Sequence, residues 1–84
     1  MILHLNASEM AALFVQPADT EKDGGFQSLL VGMQKRINRS TGQLTLLPDE
    51  LERIPRYAFD YKNGGWQDRL TSIFARSLGP KLGR

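Results

Sequence analysis

The chain contains no cysteine and a single histidine, and both shortages narrow the chemistry available to it. Without cysteine it can form neither a disulfide nor a thiolate metal site, so its stability must come from apolar packing. His4 alone cannot complete a zinc site, and its place between Leu3 and Leu5 favours a structural role. Nucleophilic catalysis needs a nucleophile, a base and an orienting group, and the commonest base is nearly absent. We therefore expect a protein that is not an enzyme and uses no metal or cofactor.

The sequence also has no long apolar run. No stretch approaches the roughly 20 apolar residues needed to span a bilayer. The opening residues, MILHLNAS, have neither the basic start nor the apolar centre of a signal peptide, so we expect no membrane segment and a cytoplasmic location. A length of 84 residues, with 40% hydrophobic and 24% charged residues, predicts one small soluble domain. Because its core must be small, we expect either a monomer or a homodimer.

The clearest pattern that is present is an internal repeat, KDGGFQ at 22–27 and KNGGWQ at 62–67. Aligned without a gap, the segments 22–36 and 62–76 agree at the lysine, both glycines and the glutamine, and at Leu30 with Leu70. Apolar residues in both segments recur at helical spacing, i, i+4 and i+7. A repeat of this length indicates a duplicated supersecondary unit. The sequence predicts an all-α fold of four main helices, built as two helix–elbow–helix units related by pseudo-two-fold symmetry.

Helix-boundary signals give the limits of these units within a single domain, 1–84. Asn6 and Glu9 have capping-box spacing for a first helix, and Pro48 suits the first position of a third helix that Pro55 should kink. Asp23 and Asn63 are predicted N-caps of the second and fourth helices. Gly42 predicts a turn before a candidate extended segment, QLTLL at 43–47, and Gly79 with Pro80 should end the fourth helix. Repeat one is about 6–37, repeat two about 46–78, and 79–84 is a basic tail. The predicted core contains Phe26, Leu30, Met33, Leu51, Ile54, Trp66, Leu70, Ile73 and Phe74.

The paired glycines admit two interpretations. Glycine costs about 1 kcal/mol in a helix relative to alanine, so something must retain all four of them. One interpretation is steric: the absence of Cβ lets another part of the chain approach closely. The other is that their amide groups bind a phosphate or carboxylate beside a lysine. The candidate anion-binding residues are then Lys22, Gly24, Gly25, Lys62, Gly64 and Gly65.

Protein binding is the leading functional hypothesis. If the third helix continues through RYAFDY at 100° per residue with Leu51, Ile54, Ala58 and Tyr61 facing the core, Phe59 points away from the core and Tyr57 lies at its margin. Aromatic side chains beside arginines are typical of interface anchors, and Arg53 and Arg56 stand close by in the sequence. We predict that these four residues contact a protein partner. That Phe59 instead packs within the fold remains an open alternative.

The competing hypothesis is nucleic-acid binding. A basic helical face could contact phosphates, and a helix-turn-helix could place one helix in a major groove. The acidic residues interspersed among the basic ones make this the second choice. Its candidate residues are Lys35, Arg36, Arg39, Arg69 and Arg76.

Three motifs between Gly24 and Gly79, GGFQ, RYAFDY and NGGWQ, give the chain a family resemblance. In these it resembles small uncharacterised proteins carried by phages, plasmids and other mobile elements, over most of its length. The resemblance brings no fold, activity or site residue with it. Small proteins of mobile elements often bind and block a host protein, so the resemblance implies an inhibitor of a host defence system, as anti-CRISPR proteins are.

Overall fold

The computed structural model describes residues 1–84 as four α-helices and a two-stranded antiparallel sheet. In chain order the elements are β1 (Ile2–His4), α1 (Ala7–Phe14), a 3₁₀ turn (Ala18–Thr20), α2 (Gly25–Arg36), β2 (Gln43–Thr45), α3 (Pro48–Pro55), a π-helix (Arg56–Asp60) and α4 (Gly64–Leu78). The four predicted helices are confirmed and the fold is mostly helical. The small sheet makes it less purely helical than the sequence predicted, although β2 lies within the segment where extended chain was expected.

Local sequence explains where α1 and α4 begin. Asn6 caps α1 by accepting from the Glu9 amide, and the Glu9 carboxylate accepts from the Asn6 amide, which is the predicted capping box. Asn63 caps α4 by accepting from the Trp66 amide. The predicted cap Asp23 is wrong: α2 has Gly24 at its N-cap position and no side-chain cap, because its first turn starts one residue later. The helix starts in the two repeats therefore differ by one position.

Pro55 changes the helix type rather than only bending the helix. Proline has no amide hydrogen to donate, and its ring clashes with the carbonyl of the residue one turn earlier, so regular α geometry cannot run through it. The α-helix α3 ends at Pro55, and Arg56–Asp60 continue as a π-helix. Such segments close i to i+5 hydrogen bonds, which changes the direction of each following side chain. This segment carries two of the predicted partner-binding aromatic residues.

The two strands pair antiparallel, with Leu3 opposite Leu44 at the centre. The Leu5 amide donates to the Gly42 carbonyl at 2.9 Å, and the Leu46 amide donates to the Met1 carbonyl at 2.8 Å, one bond at each end of the pair. Gly42 has a φ of 78° and lies so close to Leu5 that a Cβ would stand 2.1 Å from its carbonyl oxygen. The predicted turn at Gly42 is thus a position that only glycine fits.

Apolar side chains from every helix and both strands form one core. The predicted core residues that are fully buried are Phe26, Leu30, Met33, Ile54, Leu70, Ile73 and Phe74. Leu51 and Trp66 are only partly buried and pack against the edge of this core. The strands add buried leucines that the helical pattern could not indicate, among them Leu3, Leu5, Leu44 and Leu46.

The predicted basic tail is a folded segment, which we call the hook (residues 79–84). Gly79 ends α4 as predicted, with a φ of 92°. Leu82 has none of its surface exposed and belongs to the core. Its backbone has a φ of 52°, in the left-handed region that non-glycine residues seldom adopt. Burial of the Leu82 side chain therefore stabilises a backbone conformation that is unfavourable for a leucine.

Arg76 joins the end of α4 to the start of α1 and to β1. Its guanidinium donates to both carboxylate oxygens of Glu9, at 2.7 and 3.0 Å, and to the His4 carbonyl. Glu9 is 5% exposed. The Arg76 hydrogen bonds hold the pKa of Glu9 below its ordinary value of 4.5, although burial acts in the opposite direction. We call this set, Arg76 with Glu9 and His4, the α4 clamp.

Arg36 makes the same kind of connection from the end of α2. It forms an ion pair with Glu50 in the first turn of α3 and donates to the Thr45 carbonyl of β2. The Glu50 carboxylate also accepts from the Leu47 amide at 2.8 Å and is buried. We call this set, Arg36 with Glu50 and Thr45, the α2 clamp. The two clamps fasten both strands and both helix starts to the ends of α2 and α4.

Candidate functional site

The two glycine bends lie together at one end of the molecule. Phe26 follows the first bend and Trp66 the second, and their rings stack with centroids 4.9 Å apart and planes inclined by 10°. The starts of α2 and α4 are consequently neighbours. The bends themselves differ in backbone shape, because Lys62 before the second one has a φ of 54° and Lys22 has no such conformation.

Four further ring contacts extend this pair to the molecular surface. Tyr57 meets Phe26 edge to face at 6.1 Å and Trp66 at 5.5 Å. Tyr61 stacks on Tyr57 at 5.2 Å and meets Trp66 edge to face at 5.6 Å. We call the outward part of this cluster, Tyr57, Tyr61 and Trp66, the aromatic surface. Tyr61 is 55% exposed, whereas Phe26 beneath it is 1% exposed, so the surface stands on a buried support.

Three of the four predicted partner-binding residues belong to this surface or adjoin it. Tyr57 is half-buried within the cluster. The Arg53 guanidinium donates to the Gly25 carbonyl at 2.9 Å and lies 5.8 Å from the centre of the Tyr57 ring. It thus links α3 to the start of α2. Arg56 is exposed and directly precedes Tyr57 in the π-helix.

Phe59 does not join the aromatic surface. It is half-buried and packs against the core, and the Arg84 guanidinium of the hook lies 5.7 Å from its ring centre. The expectation that it points away from the core assumed 100° per residue, and the π-helix breaks that assumption. The alternative that Phe59 packs within the fold describes its position better.

The steric interpretation of the glycine pairs applies to one glycine most clearly. A Cβ on Gly25 would stand 1.9 Å from the Tyr57 hydroxyl oxygen, so the approach of Tyr57 requires glycine there. A Cβ on Gly64 would meet nothing within 4 Å, and one on Gly65 would have Asn63 at 3.4 Å as its nearest neighbour. The second pair therefore has no steric requirement. Anion binding by the six residues named above stays a prediction.

The five residues predicted to contact nucleic acid all have partners within the fold. Arg36 and Arg76 form the two clamps, and Lys35 is ion-paired with Glu21 at 2.7 Å. Arg69 donates to the Gln16 side chain at 2.6 Å, and Arg39 lies 4.3 Å from the centre of the Phe14 ring. A phosphate would have to compete with these contacts, so no observation favours this hypothesis over protein binding.

A shallow groove of about 290 Å³ runs between α1 and α4. Its walls include Ala12 of α1 and Val15 directly after it, and Asp68 and Arg69 of α4. It adjoins the aromatic surface, since Gly65 lines it next to Trp66. No group of three or more histidine, cysteine or acidic side chains is placed to hold a metal ion, and no helix is long and apolar enough to cross a membrane.

Sequence reasoning missed the role of Tyr61 and Trp66, because helical spacing assigned both to the core. A signal was nevertheless present in the repeat. At offsets of 40 and 41 residues the positions that match Tyr57 and Tyr61 are Pro17, Gln16, Glu21 and Thr20, none of them aromatic. The two tyrosines therefore have no aromatic counterpart in the first half of the sequence.

No family model, curated protein or solved structure matches the chain.

Proposed function

We propose that this chain is a small non-enzymatic module that binds a protein partner through the aromatic surface. The observation that carries the proposal is the exposure of Tyr61. More than half of the residue is exposed, yet ring contacts with Tyr57 and Trp66 fix its position. A fixed aromatic ring loses little conformational freedom on binding, which is why tyrosine and tryptophan are common at the centres of interfaces.

Arg53 and Arg56 are the proposed charged contacts beside this surface. Arginine is enriched with aromatic residues at binding sites because its flat guanidinium both stacks and donates hydrogen bonds. Arg53 is held in place by the Gly25 carbonyl and by Asp49, which lies 3.8 Å away. Arg56 is exposed beside Tyr57. Phe59 enters this proposal only as a support of the π-helix.

The sequence differences between the two repeats support the same location for the binding surface. Residues that build the shared fold have equivalents in both halves, as the matching leucines of α2 and α4 do. Tyr57 and Tyr61 have no aromatic equivalent in the first half, so the common fold does not require aromatic residues at these positions. A binding role gives a reason for them that packing of the repeat does not.

We also propose that the fold arose by duplication of a strand–helix–helix unit with pseudo-two-fold symmetry. An offset of 41 residues carries the strand register onto itself, and converts the Leu5-to-Gly42 hydrogen bond into the Leu46-to-Met1 bond. The same offset relates Glu9 to Glu50 and His4 to Thr45, and an offset of 40 relates Arg76 to Arg36, so the α4 clamp and the α2 clamp are equivalent. The one-residue difference in helix start and the conformation of Lys62 mark where the halves have diverged.

The proposed biological role is inhibition of a host protein, in keeping with the resemblance to proteins of mobile elements. A defence system is the proposed target. A short chain with one exposed, rigid aromatic patch suits a protein that acts by covering a surface of its target.

Affinity capture with matched variants tests the proposed function. The immobilised chain should retain a defined protein from a lysate of its native host. Tyr61→Ala should abolish that retention with only a small drop in melting temperature, because more than half of the residue is exposed and it loses two ring contacts at the surface. Leu47→Ala is the control, since Leu47 is also an exposed apolar residue (46%) but directly precedes α3, beside the sheet, and its loss should leave retention as in wild type. Equal retention by wild type and Tyr61→Ala would refute the assignment of the surface.

A further inference from the structure

The hook is attached to the rest of the molecule almost entirely by side chains. Its backbone hydrogen bonds are internal or return to the end of α4: the Leu82 amide donates to the Gly79 carbonyl, and the Arg84 amide donates to the Lys81 carbonyl. What joins it to the body is the buried Leu82 side chain together with Arg84. A segment held in this way can open without breaking any strand or helix.

Arg84 connects the hook specifically to the π-helix. It forms an ion pair with Asp60, the last residue of that helix, and its guanidinium lies over the Phe59 ring. No other residue of the chain forms an ion pair with the π-helix. The hook therefore contacts the short element that also carries Tyr57 and leads directly into Tyr61.

Both segments in this contact have conformations that need support. Leu82 has a left-handed φ of 52° between Gly79 and Gly83, whose φ values are 92° and 86°. The π-helix is a rare geometry that local hydrogen bonding favours less than the α-helix, and it recurs at functional sites. Opening of the hook would relieve the left-handed conformation of Leu82, and it would remove Asp60 and Phe59 contacts from the π-helix.

We propose that the hook is a latch that holds the π-helix in the register which assembles the aromatic surface. When the hook is docked, Phe59 and Asp60 are fixed on one side of the π-helix, and Tyr57 is directed to Phe26 and Trp66 on the other. When the hook opens, the π-helix loses its Arg84 contacts at Phe59 and Asp60, and the ring cluster loosens. The latch itself is a property of the fold, whereas its meaning as regulation of binding rests on the proposed function.

Hydrogen–deuterium exchange of the isolated chain tests the latch without any partner. Arg84→Ala removes the ion pair and the ring contact, and it should leave the molecule folded because Arg84 is about half exposed. We expect amide exchange in 56–61 to become faster by about tenfold, the combined effect of one exposed ion pair and one cation–π contact. Exchange in α1 and α2 should be unchanged. Lys81→Ala in the same hook is the control, since it removes a charge that makes no contact with the π-helix. It should change amide exchange neither in 56–61 nor in α1 and α2.

Two results would overturn the proposal. Exchange in 56–61 that is the same in Arg84→Ala and in wild type would mean that the π-helix holds its register without the hook. An equal acceleration in all helices would mean that the hook contributes only to global stability. Because this measurement uses no partner, its failure leaves the capture experiment on Tyr61 unaffected, and a failed capture leaves the latch unaffected.

Discussion

At the scale of single residues, the Glu9 carboxylate accepts hydrogen bonds from the Asn6 amide and from Arg76. Its negative charge should make the free energy of unfolding depend on pH. Its folded-state pKa is lowered, chiefly by the Arg76 hydrogen bonds. A carboxyl group of this kind stabilises the fold above its unfolded pKa, near 4.5, and that contribution is lost as the pH falls through the lower folded pKa. Glu9→Gln should lower the free energy of unfolding at neutral pH by about 1 to 2 kcal/mol, because glutamine can keep the Asn6 bond but not the charge. The difference in free energy of unfolding between Glu9→Gln and wild type should shrink as the pH falls through the lowered folded-state pKa of Glu9. Urea unfolding at a series of pH values measures it.

Glu52→Gln is the matched control for this prediction. Glu52 is exposed on α3 and forms no ion pair, so its neutralisation should leave the free energy of unfolding within about 0.5 kcal/mol of wild type. A loss in Glu9→Gln that stays constant down to strongly acidic pH would show that the charge of Glu9 is not what stabilises α1.

The equivalent glycines Gly25 and Gly65 should respond oppositely to alanine. Gly25→Ala places a Cβ 1.9 Å from the Tyr57 hydroxyl oxygen and should cost about 1 to 3 kcal/mol, the usual range for overpacking. Gly65→Ala meets only Asn63 at 3.4 Å and should stabilise α4 by up to about 1 kcal/mol. Thermal unfolding of both variants measures the difference. Tyr57→Phe should restore part of the loss in Gly25→Ala, and destabilisation of equal size at both glycines would contradict the role assigned to Tyr57.

At the scale of elements, the hook should contribute much of the stability of a chain this small. Leu82→Ala removes a fully buried side chain and should lower the free energy of unfolding by roughly 2 to 5 kcal/mol. Leu47→Ala is the matched control, because Leu47 is 46% exposed and should change stability by less than about 0.5 kcal/mol. Denaturant unfolding of the two variants gives the comparison. Similar small losses in both would mean that residues 79–84 are a solvated tail after all.

The elements that the sequence predicted well are those with strong local signals. Capping by Asn6 and Asn63, the first-turn position of Pro48 and the stop at Gly79 all depend on one or two neighbouring residues. The sequence did not predict that the hook is folded, because its one buried residue, Leu82, stands among glycine, lysine and arginine with no periodic apolar pattern around it. The π-helix was not predicted because no simple spacing rule distinguishes its sequence from that of a kinked α-helix.

The aromatic surface could be predicted only in part, because it depends on how separate elements meet. Helical spacing placed Tyr61 in the apolar stripe of the third helix and Trp66 in that of the fourth. How far each side chain is buried depends on the neighbouring elements and not on its own stripe. Tyr57 and Arg53 were identified from composition, but the contact that orders both of them is Gly25, which lies about 30 residues earlier in the chain. Long-range contacts of this kind leave no mark in local sequence.

At the scale of the whole molecule, the similarity between the two halves of the chain bears on the fold, and the differences between them bear on the proposed binding surface. The two clamps and the antiparallel strand pair have matching partners in both halves, which is the basis for our proposal that one small unit was used twice. The end with the stacked Phe26 and Trp66 is where the second half adds tyrosines that the first half lacks. A second exposed apolar patch, formed by Met1, Ile2 and Leu47 beside the sheet, lies on other elements and is the rival binding surface.

The most direct test of the central claim is hydrogen–deuterium exchange of the chain in complex with the protein that it captures. If the aromatic surface is the interface, amides in 57–66 and at the start of α2 become protected on binding, while those of β1 and around Leu47 exchange as in the free chain. Protection confined to β1 and the residues around Leu47, with 57–66 unchanged, would contradict the account.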